Sequence, residues 1–113
     1  MLQLWQKLIM EADLLIGLDG GIGTLAEIAV AWNLLQVSDA RPLLLVGDAW
    51  VELVDLVRRR LVVGPADLAV VHVLPSGTPT SMVLAEARML IGERLGLGAP
   101  WEASHPAPSP AER

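Results

Sequence analysis

Apolar residues recur along this chain in alternating rhythms. Leu4, Trp5, Leu8, Ile9 and Ala12 fall at helical spacing and predict an amphipathic helix running to about Glu11. Leu14 to Leu18 is an unbroken apolar run halted by glycines, the pattern of a parallel strand buried on both faces. Thr24 is expected to open a helix to about Gln36, after which Arg41-Pro42 breaks the chain and Leu43 to Val46 forms a second buried strand ended by Gly47-Asp48. Asp48 reads as the N-cap of a helix through Trp50, Leu53, Val54 and Val57, and Gly64-Pro65 separates it from a third strand, Leu68 to Leu74. Pro75-Ser76-Gly77 turns the chain. Thr78 as N-cap, with Pro79 at the first helical position, starts a last helix towards Leu95 that Gly96 and Gly98 stop.

Strands alternating with helices predict an α/β fold, a Rossmann-like three-layer parallel sheet with right-handed crossovers and helices on both faces. Residues 1–96 are expected to form one Rossmann-like domain of this kind. Residues 97–113, with four prolines and little apolar content, read as a disordered tail. Ligands of open α/β sheets sit beyond the carboxyl ends of the strands, which here means the loops at Asp19 to Gly23, Gly47-Asp48 and Pro75 to Gly77.

Composition narrows the function classes. Thirteen acidic against eight basic side chains give a net charge of −5, so a nucleic-acid partner held through its phosphates is not expected. Arg58-Arg59-Arg60 ends an amphipathic stretch, where cations favour the negative end of the helix dipole, and reads as a solvated terminus. Without cysteine there is no disulfide framework, thiolate metal site or cysteine nucleophile, and the chain suits a reducing cytoplasm. The longest apolar runs fall far short of the roughly 20 residues that span a bilayer, so the reading is a soluble, cytoplasmic protein without a membrane partner.

Gly20, Gly21 and Gly23 lie between a strand and a helix start, where missing Cβ atoms permit positive φ and let a ligand approach the backbone closely. Unpaired N–H groups and the positive dipole end at such a helix start favour an anion, and the Thr24 hydroxyl adds a donor for a phosphate oxygen. The phosphate-binding set is therefore Gly20, Gly21, Ile22, Gly23 and Thr24. Glu27, one turn along, is placed to reach a ribose hydroxyl or serve as the catalytic acid-base group. Thr24-x-x-Glu27 is equally a capping box, in which each side chain satisfies a backbone N–H. The run is neither the GxGxxG dinucleotide fingerprint nor a Walker loop.

Gly20-Gly21-x-Gly23-Thr24-x-x-Glu27 resembles the PGGxGTxxE signature of the LOG family, often labelled lysine decarboxylase-like. The strand before it, the helix containing Ala31-Trp32-Asn33-Leu34-Leu35 and the following Arg-Pro-Leu-Leu-Leu-Val segment extend the likeness over roughly residues 1–95. The resemblance implies the C-terminal half of a Rossmann-like domain, a homodimer, and a nucleoside 5′-monophosphate ligand whose N-glycosidic bond some members cleave, as phosphoribohydrolases, to release the base and ribose 5-phosphate. Other relatives are described as molybdenum-cofactor carriers, so non-catalytic binding is the competing implication. Decarboxylation of lysine through pyridoxal phosphate is not implied, because Lys7 is the only lysine and nothing marks it as a Schiff-base residue. No cofactor and no metal site are expected.

The chain departs from that pattern in three places. Asp19 stands where the family has proline, and its carboxylate either repels a phosphate, contacts a ribose hydroxyl or faces outward as a turn residue. Leu4 and Trp5 stand where active members carry an Arg-Lys pair, which implies weak or absent catalysis. Family members have further β-α units before the matching region, so Met1 is expected either to be a miscalled start or to begin a truncated chain whose open sheet edge is covered by a partner or by rearrangement. Asp48 and Thr78 share the ligand edge and are secondary contact candidates, while His72, Met82, Met89, Trp50 and Trp101 read as packing residues and His105 as part of the tail.

Helix 24–36 carries Leu25, Ile28, Ala29, Trp32 and Leu35 on the face expected to meet the sheet, and Val30, Ala31, Leu34 and Val37 on the other. A helix apolar nearly all round is buried on both sides, which predicts a dimer contact through it or cover from the first or last helix of the same chain.

Overall fold

The computed structural model describes residues 2–37 and 41–96, with side chains from Lys7 onward. Its elements run α1 (Leu2–Glu11), β1 (Leu15–Gly17), α2 (Ile22–Val37), β2 (Leu43–Val46), α3 (Asp48–Arg60), α4 (Pro65–Ala69), β3 (Val71–Leu74) and α5 (Thr80–Leu95). The strands form one parallel sheet in the order β1-β2-β3, with Leu15 beside Leu43 and Leu43 beside Val71. This is the α/β, Rossmann-like arrangement that the alternating pattern predicts. The tail at 97–113, with Trp101 and His105, lies outside the described residues, as do the side chains of Leu4 and Trp5.

Two right-handed crossovers stepping in the same direction place their helices on one face of the sheet. Accordingly Ile28, Ala31 and Leu35 of α2 and Trp50 and Val54 of α3 pack with Leu43, Leu45 and Val71 in the larger core cluster. The opposite face is covered by α5, whose Ala87 and Leu90 pack against Leu44. Leu43, Leu44 and Leu45 are buried from both sides, which explains why β2 reads as a continuous apolar run.

Gly17 determines how closely α2 approaches β1. A Cβ there would stand 2.6 Å from Leu45 Cδ2 and 3.0 Å from Ile28 Cδ1, both in the packed core. Gly17→Ala is therefore expected to lower stability by about 2 kcal/mol, the range of core overpacking, in a denaturant titration. Stability unchanged within error would show that Leu45 and Ile28 can move aside.

α1 docks on α2, and its Ile9 is fully buried in the larger cluster. Its C-terminal carbonyls are met by Arg41, which is only 4% exposed. The Arg41 guanidinium donates from Nη1 to the Met10 carbonyl and, at 2.8 Å, to that of Ala12. A residue that reads as a chain breaker thus caps a helix from a distant segment.

Several boundaries differ from expectation. α2 opens at Ile22, two residues before Thr24, with Leu25 N–H donating to Gly21 O at 3.0 Å. Gly47, not Asp48, is the N-cap of α3, and Pro79, not Thr78, is that of α5. In both cases the hydroxyl or carboxylate is bonded within the loops instead. The third strand begins at Val71 because Pro65 starts the short helix α4, held by the Gly64 N–H to Asp67 Oδ2 bond (2.8 Å) and by Trp32 Nε1 donating to Asp67 O (2.7 Å). Gly96 ends α5 at φ 67°, and the Arg58 to Arg60 triplet is the exposed last turn of α3, both as expected.

The faces of α2 also differ from the sequence reading. Ile28, Ala31 and Leu35 form its buried stripe, so Ala31, at 1% exposed, belongs to the core and not to the outer side. Leu25, Ala29 and Trp32 instead border a groove shared with Leu53, Val57, Leu61 and Val63 of α3 and the segment after it. The apolar set is wide enough to accept either rotation about the helix axis, and docking against β1, β2 and α1 selects this one.

Candidate functional site

The three loops beyond the carboxyl ends of the strands are joined by hydrogen bonds. After β1, the Leu18 carbonyl accepts from Trp50 Nε1 at 3.1 Å. After β2, Gly47 N–H donates to Leu74 O at 2.9 Å. Asp48 and Ser76 pair reciprocally, Asp48 N–H to Ser76 Oγ and Ser76 N–H to Asp48 Oδ1, each 2.9 Å. Ser76 thus gives the first turn of α3 an acceptor that no residue of its own segment provides. Thr78 Oγ1 donates to Pro75 O at 2.7 Å. Asp48 and Thr78, the secondary contact candidates, are thus both hydrogen-bonded within the loops at the carboxyl edge of the sheet.

Gly47 has φ 146°, a region that side chains rarely adopt, and the Asp19 carboxylate fills the place where its Cβ would stand. Of the alternatives open for Asp19, the geometry is a side chain turned across to the loop after β2. That orientation follows from Gly47, since only a residue without a Cβ leaves room for it.

Gly20, Gly21 and Gly23 do not take positive φ; Gly47, Gly77 and Gly96 do. Their missing side chains serve space instead. At Gly20 the position of a Cβ is occupied by the Thr24 side chain, so the hydroxyl of Thr24 sits against the backbone of the loop. At Gly21 and Gly23 a Cβ would meet nothing within 4 Å, which leaves the backbone open to an approaching group.

Because α2 begins at Ile22, the N–H groups of Ile22, Gly23 and Thr24 belong to its first turn, before the ladder of helical acceptors begins. Thr24 lies inside the helix and not at its N-cap, so the capping-box reading of Thr24 and Glu27 is replaced. Thr24 and Glu27 are brought together with Leu15 to Leu18, Ile28, Ala31 and Leu43 around a cavity of about 130 Å³. No arginine or lysine is among these described lining residues. The arrangement offers neutral donors and a carboxylate.

Trp50 and Ser76 were not among the sequence candidates for the site. Trp50 is buried, as a packing residue should be, but its indole N–H also anchors the end of β1. Its place two residues beyond Asp48 is the one local hint. Ser76 carries no sequence signal, since its partner is 28 residues away. His72 is half-buried at a separate cavity with Pro42, Ala69, Leu90, Glu93 and Arg94, away from the glycine loop. No helix among the described residues is long and apolar enough to cross a membrane. Comparison of the chain with protein-family models, with curated proteins and with solved structures finds no match.

Proposed function

We propose that the Gly20–Glu27 segment binds a nucleoside 5′-monophosphate or a related phosphate ligand, with weak or absent N-glycosidic activity. The observation that carries this reading is the opening of α2 at Ile22, with first-turn amides beside two glycines whose surroundings are empty. A phosphate oxygen set there accepts from the Ile22, Gly23 and Thr24 amides and from the Thr24 hydroxyl, at the positive end of the helix dipole. The resemblance of this segment to the LOG signature supports the same ligand class.

Four neutral hydrogen bonds at about 1 kcal/mol each correspond to a Kd of about 1 mM, and no arginine or lysine is among the described residues that line the adjoining cavity. AMP is therefore expected to bind weakly, and free adenine to be released slowly or not at all, since no guanidinium is among the described lining residues to orient the sugar phosphate. Rapid adenine release that Glu27→Gln abolishes would replace this reading with an active phosphoribohydrolase. Thr24→Val keeps the shape that fills the space beside Gly20 but removes the hydroxyl. It should weaken AMP binding about fivefold while stability changes by less than about 0.5 kcal/mol. Calorimetry beside a thermal melt checks both, and an unchanged affinity would show that the hydroxyl makes no ligand contact.

The reading includes a homodimer through α2, relocated by the observed faces to its groove with α3. The groove measures about 390 Å³ and is lined mainly by apolar side chains, with Leu25 38% and Leu61 60% exposed. Light scattering across a dilution series should show a dimer that Leu25→Lys with Leu61→Lys converts to monomer. A monomer at every concentration, or a dimer indifferent to both changes, removes this part of the reading.

A further inference from the structure

We propose that the outer edge of β1 takes up an extended strand from a different polypeptide, and that this strand walls the open side of the Thr24–Glu27 cavity. The second half rests on the reading of that cavity as a ligand site; the first does not.

Among the described residues β1 is a terminal strand of the sheet, paired on one side with β2. Leu15 N–H donates to Pro42 O at 3.2 Å, so Leu15 and, two residues on, Gly17 turn their peptide groups towards β2. Ile16 between them turns its N–H and C=O outward. Edges of this kind are normally blunted by charge, proline or a bulge, yet 14–18 reads Leu-Leu-Ile-Gly-Leu with none of the first two. The side chains on the α5 side are also unfinished there: Ile16 is 45% and Leu18 60% exposed, while Leu44 in the adjacent strand is fully buried. The cavity is lined by Leu15, Ile16, Gly17 and Leu18 in succession. Thr24, Glu27, Ile28, Ala31 and Leu43 complete the lining, so the cavity lies between α2 and the sheet and reaches the edge of β1 along Leu15 to Leu18. At about 130 Å³ it falls below the ~300 Å³ at which small-molecule sites begin. A strand laid on this edge supplies the wall it lacks.

In-line N–H and C=O groups are matched by another strand and by little else. A second copy of this chain is a poor source. The antiparallel two-fold register that engages Leu14, Ile16 and Leu18 together sets Asp13, which stands 3.5 Å from Arg94 Nη1, opposite Asp19 at both ends, and each chain carries a net charge of −5. The complementary partner has apolar side chains at alternate positions and basic residues flanking them.

The test uses the full chain and a blocked seven-residue peptide of alternating valine and threonine with lysine at both ends. Hydrogen exchange at the Ile16 amide should slow at least tenfold as the peptide saturates, and a glutamate-ended peptide should bind at least fivefold more weakly. Ile16→Pro, which removes an N–H that β2 does not use, should abolish binding, and the milder Ile16→Lys should weaken it with the fold intact. An Ile16 amide that stays unprotected at every peptide concentration overturns the proposal. Protection that follows protein concentration without peptide overturns the choice of partner in favour of a second copy. AMP affinity should rise with peptide bound. Protection without that rise, in a chain that does bind AMP, overturns the link to the cavity, whereas no AMP binding in either state removes the nucleotide reading and leaves the exchange result standing.

Discussion

Arg41→Ala is expected to lower the free energy of unfolding by about 4 kcal/mol and to release α1 from the rest of the fold. The guanidinium is buried and donates to the carbonyls of Met10 and Ala12 at the C-terminal end of α1, with Nη2 3.5 Å from Met10 Sδ. Deleting it leaves these part-buried carbonyls without their donor, at about 1–3 kcal/mol each at most, and opens a void the size of the lost side chain. The charge itself was costly to bury, and the two carbonyls at the negative dipole end of α1 contribute to holding it there. Hydrogen exchange resolved by segment should show α1 losing protection first, with β2 and α3 less affected. Arg41→Lys should recover only part of the loss, since one ammonium on a shorter reach does not reproduce the planar fork. A variant as stable as the parent would mean that water replaces the guanidinium at no cost.

Gly47→Ala is expected to cost about 3 kcal/mol and to disturb the loop after β1 although the substitution lies after β2. The backbone strain of a side chain at φ 146° accounts for about 1–3 kcal/mol of this. The remainder comes from the Asp19 carboxylate, which occupies the position of the new methyl group and must leave it. Displaced, Asp19 is free to swing towards the first turn of α2, where its charge competes with a bound phosphate. AMP affinity should therefore fall along with stability, and Asp19→Ala in the same chain should restore binding while recovering only the steric part of the stability. A Gly47→Ala protein with normal AMP affinity would show that the two loops act independently. Asp19 stands in the place of the proline in the resembling signature, and Gly47 is what keeps its carboxylate turned aside.

Much of the architecture is legible in local chemistry. The apolar runs at β1 and β2, the helical spacing of α1, Gly96 at the end of α5 and the sequential alternation each depend on residues close in the chain. Gly20, Gly21, Thr24 and Glu27 can be singled out from sequence because a glycine cluster between strand and helix has few uses. The starts of α3 and α5 were displaced because residues that prefer capping positions can satisfy the same hydrogen bonds elsewhere. Asp48 does so with Ser76 and Thr78 with Pro75. α4 escaped the strand reading since a five-residue helix carries too few apolar positions to show a period.

What the sequence alone determined, then, is every element but α4 and the carboxyl edge on which the loops gather, with the glycine-to-glutamate segment as a candidate site. Only the tertiary structure decided which way α2 is rotated, that Arg41 reaches across 31 residues to Met10 of α1, that Asp19 turns to Gly47, and that Thr24 and Glu27 face a cavity along the free edge of β1. The division has a physical cause. Periodicity and turn chemistry act over one or two helical turns and are written in neighbouring residues. Rotation of a helix that is apolar nearly all round, the cover of a buried carbonyl and the direction of a loop carboxylate are set by contacts between distant segments, whose energies no local pattern contains.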